Sequence, residues 1–238
     1  VTYASALVAA PIRFFGVSIA QAALPFLSLE AKEGDLQGFT ALLIKTLHQI
    51  AFFMFPAGAL MLVLRIPFVR LAFGAKDFPW SDTVLLGRMV ALYSVAIAAQ
   101  AMIHVVLRAF YALKETKTPF FIAFFSMGIN VIVMWLGAQV FGWGVLSVMI
   151  GSSLTAIVEL LLLLLFLFEK VGYFSSHEFF LPQLKMLLAT ALMGVSLYIP
   201  LKVLDKLVFD TTRTIGLIVL TGIVSVIGLV VYLAFCKL

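Results

Sequence analysis

The apolar stretch at residues 145–168 contains a short row of polar side chains at helical spacing. Ser152, Thr155 and Glu159 follow one another at intervals of three and four, beside Gly151, so a helix would carry them on one face. An ionised carboxylate inside membrane hydrocarbon is costly unless it is protonated, paired or hydrated. The row therefore predicts either a substrate or ion path, or a neutral glutamic acid that hydrogen-bonds to a neighbouring helix.

A second row of polar residues lies in the apolar stretch at residues 84–113. Gln100, His104 and Arg108 follow at successive four-residue steps toward Lys114, so they share one helical face. Such a row would lead an anion toward the Lys114 surface. A histidine near a membrane face also fits simple interfacial packing, and both interpretations of His104 stay open.

Arg13 is the third candidate, because it stands in the middle of an apolar stretch interrupted by Pro11. A guanidinium can bind phosphate through two parallel hydrogen bonds, so a fixed arginine beside a central cavity would suit an anionic substrate. The alternative is that Pro11 starts a new helix near the interface and that Arg13 reaches water there.

The composition places these residues in an all-α membrane protein. Of the 238 residues, 64% are hydrophobic and only 11% are charged, and the mean hydropathy is +1.19. An ordinary soluble domain has a lower hydrophobic fraction and a higher charged fraction. The apolar runs are also too long and too continuous for barrel strands. The backbone must then be satisfied within helices. A polytopic helix bundle is the predicted fold.

Seven transmembrane helices are expected, each near the length of about 20 residues that a membrane span requires. The third is longer than the bilayer needs and should tilt or protrude. An amphipathic connector is predicted at residues 169–183. The expected spans are residues 1–27, 39–64, 84–113, 119–140, 145–168, 184–204 and 214–235.

Several classes of function are disfavoured by the sequence. The phosphate-binding loop, the zinc-binding helix motif and the serine nucleophile elbow are missing, and the three histidines stand on different predicted elements, so no enzyme, catalytic metal or cofactor is expected. The single cysteine, Cys236, forms no disulfide framework. The net charge of +5 comes from scattered lysines and arginines, which fits anionic lipid headgroups rather than nucleic acid. Val1 is expected to be an internal residue of a longer protein.

Three segments carry a family resemblance. FGVSIAQAALPFLSLEAKEGD, at residues 15–35, and LRAFYALKETKTP, at residues 107–119, resemble the MurJ (also called MviN) lipid II flippases of the multidrug/oligosaccharidyl-lipid/polysaccharide exporter superfamily. In the second segment, Glu115 stands where that family has aspartate. The loop FGAKDFPWSDT, at residues 73–83, resembles a family loop in which the glycine has a different position.

The resemblance implies a fold, a place in the chain and a substrate. That family has fourteen spans in two lobes around a cavity that opens to each side alternately, and the seven spans here would be the eighth to the fourteenth. Residues 1–170 would be the second lobe without its first helix, and residues 171–238 a connector and two terminal helices that form an apolar groove for a polyprenyl tail. The implied partners are lipid II or a similar polyprenyl-diphosphate saccharide, membrane lipids and the N-terminal half of the protein. The implied location is the bacterial cytoplasmic membrane.

One departure from the family bears on the site. The family's first helix of this region carries Tyr-Ala-Asp-Arg, whereas this chain has Tyr3, Ala4, Ser5 and Ala6. Ala6 thus stands at the position where that family has its cavity arginine. The hypothesis is that Arg13, seven residues further and on nearly the same helical face, supplies the cation for the headgroup phosphates.

The predicted substrate-binding residues are Arg13, Gln100, His104, Ser152, Thr155 and Glu159. Arg108, Lys114 and Lys117 are predicted to attract the anionic headgroup at the cytoplasmic mouth. Two alternatives remain within transporters: an exporter of another polyprenyl-linked saccharide, and a cation-coupled drug exporter with Glu159 as the ion site. A transport-inactive scaffold for envelope assembly is the third alternative. It is suggested by Ala6, which stands where the family has an arginine.

Overall fold

The computed structural model describes residues 1–74, 79–172, 176–207 and 214–236. Every regular element in these ranges is helical. Six helices are long and apolar enough to cross a membrane, and a bent pair brings the number to seven, as the sequence predicted. The elements are α1 (Thr2–Pro11), π1 (Ile12–Val17), α2 (Ser18–Glu33), α3 (Leu36–Val63), α4 (Arg65–Phe73), α5 (Trp80–Ser94), α6 (Ile97–Ala112), α7 (Lys117–Gln139), α8 (Leu146–Val171), α9 (Ser176–Leu207) and α10 (Thr214–Cys236).

The first span does not break at its prolines. α1, π1 and α2 form one continuous span from Thr2 to Glu33. The chain accommodates Pro11 by widening the next turn into a π-helix, in which Ser18 Oγ donates to the carbonyl of Arg13 at 3.3 Å. Gly16 in this wide turn lies so close to α6 that an added Cβ would be 2.8 Å from Ala101 Cβ. The alternative in which Pro11 starts a separate helix was wrong, because Thr2–Glu33 is one continuous span.

The third predicted span takes up its extra length by bending. α5 and α6 meet at an angle of 45° across the break between Ser94 and Ile97. Ser94 Oγ donates to the carbonyl of Ala91 at 2.9 Å, and α3 approaches the break closely at Gly58, where a Cβ would be 2.9 Å from Ile97 Cγ2. This span therefore contains a bend between α5 and α6 that the sequence did not predict.

Local sequence signals end the helices where the sequence predicted turns. Gly34 adopts a positive φ of 77° after α2, and the Asp35 carboxylate then accepts a hydrogen bond from the Gly38 amide at 2.9 Å at the start of α3. Gly142 and Gly144 adopt φ of 66° and 55° in the tight turn between α7 and α8. Much of the predicted amphipathic connector is helical, because α8 continues to Val171 and α9 begins at Ser176. Residues 173–175 lie outside the described part.

Two hydrophobic clusters hold the bundle together. The larger centres on α3 and α6 and includes Leu47, Val105 and Leu163 among its fully buried side chains. The smaller cluster joins α9 and α10 to the end of α3, with Met193 and Tyr232 at its centre. Tyr232 donates a hydrogen bond to the carbonyl of Phe52 at 3.1 Å, which fixes α10 against α3. We call α1–α8 the first unit and α9–α10 the terminal pair.

Candidate substrate-binding face

The two ends of the bundle are defined by which helix termini meet there. The Lys114 end holds the turns between α2 and α3 and between α6 and α7, together with the last turn of α8. An ion pair between Lys170 and Glu115, which come from α8 and the α6–α7 turn, joins these termini. The Trp80 end holds α4, the start of α5 and the turn between α7 and α8. Each candidate residue can then be given a depth.

Arg13 lies in the wide turn π1 with its side chain exposed. It lies within the continuous span Thr2–Glu33, which is long and apolar enough to cross a membrane. Ala6 is exposed on the same span. The guanidinium of Arg13 has no partner in the described ranges.

Gln100 and His104 lie half-buried on a side of α6 that faces away from α9. Ala98 and Met102, on the same helix, line a cavity shared with α9. Gln100 is about 200° from Ala98 around the helix, so it points to the other side of the unit. Its Nε2 atom is buried and has no hydrogen-bond partner among the described residues. Such an unsatisfied donor is costly in a dry environment, so this position requires water or a ligand group.

Glu159 is half-buried about halfway along α8. Leu161, on the same helix, lines the cavity beside α9, and Glu159 is about 200° from it. The carboxyl group has neither a hydrogen bond nor an ion pair within the described part of the chain. Glu159 and Gln100 therefore point to the same side of the first unit, away from the terminal pair. We call this side the polar face.

The upper part of the α8 polar row is covered by α7. A Cβ on Gly151 would be 2.9 Å from Met134 Cγ, which shows how closely the two helices pack there. Thr155, one turn further, is buried, and its Oγ1 has no partner in the described structure. Ser152 is half-buried and donates to the carbonyl of Val148 at 2.8 Å. Ser152 and Glu159 are thus the two half-buried members of the predicted row, and Thr155 is buried.

Ser126 of α7 was not among the predicted binding residues, yet it is buried with an unpartnered Oγ atom. The antiparallel register that sets Gly151 against Asn130 also sets Thr155 against Ser126. Two buried hydroxyl groups therefore share the seam between α7 and α8. Their small, uncharged side chains offer little in sequence to distinguish them from ordinary helix contacts.

The predicted cytoplasmic mouth is a cluster of cations at the Lys114 end. Lys114, at a positive φ of 57°, and Lys117 are exposed, and Arg108 is half-buried one turn before the end of α6. Glu115 lies between them and accepts hydrogen bonds from Lys170 Nζ and from the amides of Lys117 and Thr118. The bond from Lys170 and then that from Thr118 hold the pKa of Glu115 below its ordinary value. The sequence indicated the cations but not this ion pair.

The opposite side of the first unit forms an apolar groove along α9. One cavity of about 640 Å³ lies between α3, the α5–α6 bend and α9, and a second of about 380 Å³ continues between α6, α8 and α9. The two share Phe55, Val95 and Ala98, so they form one channel. α9 supplies its outer wall. We call this channel the α9 groove, and it differs from the expected groove between the last two helices because α10 does not line it.

A metal site is not indicated in this arrangement. The described residues contain no group of three or more histidine, cysteine, aspartate or glutamate side chains that could hold an ion. The site is instead a set of separate polar groups on a membrane-embedded surface. Such a surface can bind and orient a polar headgroup.

Comparisons with known proteins identify one matching family. The family profile described as lipid II flippase MurJ matches residues 1–217. A probable lipid II flippase MurJ of Bdellovibrio bacteriovorus is 25% identical over 99% of this chain and 45% of its own length. One from Rhizobium meliloti is 30% identical over 54% of this chain and 24% of its own length.

A solved structure agrees in fold. The structure described as lipid II flippase MurJ in an inward closed conformation covers 98% of this chain with a TM-score of 0.75 at 24% identity. This likeness shows the arrangement of the helices. The match covers 45% of that structure, so the chain spans about half the length, or less, of the relatives it resembles.

Proposed function

The chain belongs to the MurJ family of lipid II flippases, and from this membership we propose that it forms part of a protein that moves lipid II across the bacterial cytoplasmic membrane. Lipid II flippase is the description printed for the matching family and for each relative cited above. The family match favours this function over a drug exporter or a transport-inactive scaffold. Transport across the membrane, without covalent chemistry, is the class of activity.

The observation that carries the proposal is the polar face. An unpartnered amide and an unpartnered carboxyl group, from Gln100 and Glu159, lie on this face, and Arg13 adds an exposed cation within the span Thr2–Glu33. Hydrocarbon would make each of these groups costly, so this face requires an aqueous or protein-lined chamber. A diphosphate and its sugars have the charge and hydroxyl groups to satisfy such a surface.

We assign the roles as follows. Arg13 would hold the headgroup phosphates, and Gln100, His104, Ser152, Thr155 and Glu159 would supply a polar or protonatable wall. Arg108, Lys114 and Lys117 would raise the local concentration of the anionic headgroup at the cytoplasmic mouth. The α9 groove would hold the apolar tail while the headgroup crosses.

The division of the chain is also part of the proposal. Residues 1–170 would form part of one lobe, and residues 171–238 an added segment that guides the tail. The two hydrophobic clusters support this division, because the smaller one consists largely of residues from α9 and α10. Rocking of this lobe against a second lobe would expose the polar face to each side in turn.

The decisive experiment is a flipping assay with the intact natural protein in sealed vesicles. The vesicles contain fluorescent lipid II, and a membrane-impermeant reagent reports how fast this lipid moves between the two leaflets. The rate of movement is compared with that of fluorescent phosphatidylcholine. The proposal expects faster movement of lipid II alone. Equal rates for both lipids, or rates equal to those of empty vesicles, would refute it. Faster movement of a different polyprenyl-linked saccharide would identify the sibling exporter instead.

A further inference from the structure

The Trp80 end of the bundle contains a second cationic pocket, remote from the predicted mouth. Its volume is about 420 Å³, and it lies where the end of α3, α4 and the start of α5 meet the terminal pair. Arg65, Arg70 and Trp80 line its polar side, and Leu217 and Leu220 of α10 line its apolar side. None of the described residues that line it carries a carboxylate.

The two arginines are held in place by their surroundings. Arg65 Nη1 donates to the carbonyl of Leu62 at 3.0 Å, and this bond uses only one of its five donors. The guanidinium of Arg70 lies 5.6 Å from the centre of the Trp80 ring, a cation–π distance. Both arginines are half-buried, so their charges are partly removed from water. Two ordered guanidinium groups around one pocket favour a phosphate.

The pocket opens directly into the α9 groove. It shares Leu62, Val63, Gly194 and Tyr198 with the 640 Å³ cavity, which itself continues into the 380 Å³ cavity. Trp80 and Tyr198 are exposed at the junction, which is the membrane depth that amphipathic aromatic rings prefer. One continuous space thus has a cationic head and a long apolar body.

The length of this space selects the kind of tail. α9 lines it from Phe180 to Tyr198, which is about 27 Å along a helix. The hydrocarbon layer is about 30 Å thick, and a phospholipid acyl chain covers only one of its two leaflets. A tail that fills the groove must be longer than that. The dimensions therefore favour a polyprenyl chain over an ordinary glycerophospholipid.

We propose that Arg65 and Arg70 form a phosphate-binding site for a polyprenyl phosphate or diphosphate whose tail lies in the α9 groove. Its headgroup would be at the Trp80 end, opposite the Lys114 end, so the site would receive the lipid after it has crossed. The site is distinct from Arg13, which belongs to the first span. This inference rests on the proposed function for its place in transport, but the binding itself can be measured separately.

The first test measures the binding of a long-chain polyprenyl monophosphate to the intact natural protein in detergent by native mass spectrometry. Arg65→Gln combined with Arg70→Gln should raise the Kd for the phosphate about tenfold, and it should leave the Kd for the uncharged polyprenol unchanged. Arg88→Gln removes an exposed arginine of α5 that does not line the pocket and serves as the matched control. An unchanged Kd in the double variant would overturn the inference.

A second variant tests the tail independently of charge. Gly194 borders both the pocket and the groove, and no atom lies within 4 Å of a Cβ added there, so Gly194→Leu should fill the junction without strain. It should weaken binding of both the polyprenyl phosphate and the polyprenol about tenfold. Gly222→Leu in α10, also with open space around it, is the control. Unchanged binding of both lipids in Gly194→Leu would place the tail elsewhere and overturn the inference.

Competition and transport separate the remaining outcomes. If phosphatidylglycerol displaces the polyprenyl phosphate at equal concentration, the site is a general phospholipid site and the inference is wrong. If the intact protein moves lipid II and the arginine variants bind and transport normally, the proposed function stands while the inference fails. If the protein binds polyprenyl phosphate through Arg65 and Arg70 but moves no lipid II, the binding site stands and the proposed function fails.

Discussion

The polar face and the α9 groove lie on opposite sides of the first unit, and they differ in whether they carry polar groups without hydrogen-bond partners. The polar face carries Gln100 and Glu159 without partners in the described chain, whereas the α9 groove is lined almost wholly by apolar side chains. An amphiphile with a large polar head and a long tail meets both requirements at once. The difference teaches that the bundle separates head from tail by using opposite sides of the same helices.

The largest effect should come from Arg13, because it is the one candidate cation that lies within the span Thr2–Glu33, away from the Lys114 end. Arg13→Ala should lower the rate of lipid II flipping at least about tenfold, since a phosphate would lose a bidentate charged partner. Arg13→Lys should retain part of the activity because it keeps the charge but not the fork geometry. Full activity of the alanine variant in the vesicle assay would remove Arg13 from the mechanism.

The next largest effect should come from Gly16, whose close packing against α6 supports the turn that carries Arg13. Gly16→Leu should destabilise the protein by about 1–3 kcal/mol, because even a Cβ there meets the backbone and Cβ of Ala101. Gly128→Leu in α7 has open space around the new side chain and should change the free energy of unfolding by less than about 0.5 kcal/mol. Thermal unfolding in detergent measures both. Equal stability of the two variants would mean that the contact between π1 and α6 is dispensable.

Glu159 should matter less than Arg13 if it forms part of a wall rather than an ion site. Glu159→Gln keeps the shape and the hydrogen-bonding capacity, so we expect the apparent KM for lipid II to rise by about threefold with kcat nearly unchanged. Flipping rates at several lipid II concentrations would show this. Loss of dependence on an ion or proton gradient in this variant would instead favour the cation-coupled alternative.

The smallest effect should come from Glu115 at the predicted cytoplasmic mouth. The pKa of Glu115 is lowered in the folded protein by Lys170, so the contribution of this ion pair is present above the ordinary carboxyl pKa and is lost as the pH falls through the lowered value. Glu115→Gln should therefore speed hydrogen exchange of the Lys117 and Thr118 amides by a few-fold at neutral pH. High salt should produce a similar change in the natural protein. Identical exchange in both proteins would show that the turn does not need the carboxylate.

Much of the fold could be predicted because membrane spans are set by length and hydropathy. All seven stretches appear as helices, and the turn at Gly142 and Gly144 is where the glycines indicated. The bend at Val95 and Ala96 could not be predicted, since neither proline nor glycine marks it and it depends on the approach of α3 at Gly58. α9 likewise begins earlier than its most apolar segment, because packing of Phe179 in the large cluster stabilises the first turns.

The candidate site was only partly accessible to sequence reasoning. Spacing placed Gln100 and His104 on one side of α6, and the structure confirms that both lie half-buried on the same helix. Spacing alone could not show that Thr155 is buried while Glu159 is half-buried, because burial depends on which helices are neighbours. The arginines of the Trp80 pocket, Arg65 and Arg70, were seen only as scattered charges until α9 and α10 completed the cavity around them.

The wide turn at Ile12–Val17 has one more consequence. In a regular α-helix, the number of intervening residues alone sets the angle between two side chains, whereas a π-turn holds one residue more than the i→i−4 pattern allows. Deleting a single residue from this segment should convert it to ordinary α-helix and leave the two flanking helices nearly in register, because the wide turn already holds the extra residue. In a regular α-helix the same deletion would rotate everything beyond it by about 100°. This span can therefore absorb the loss of one residue at the wide turn, a change that a straight helix would transmit along its entire length.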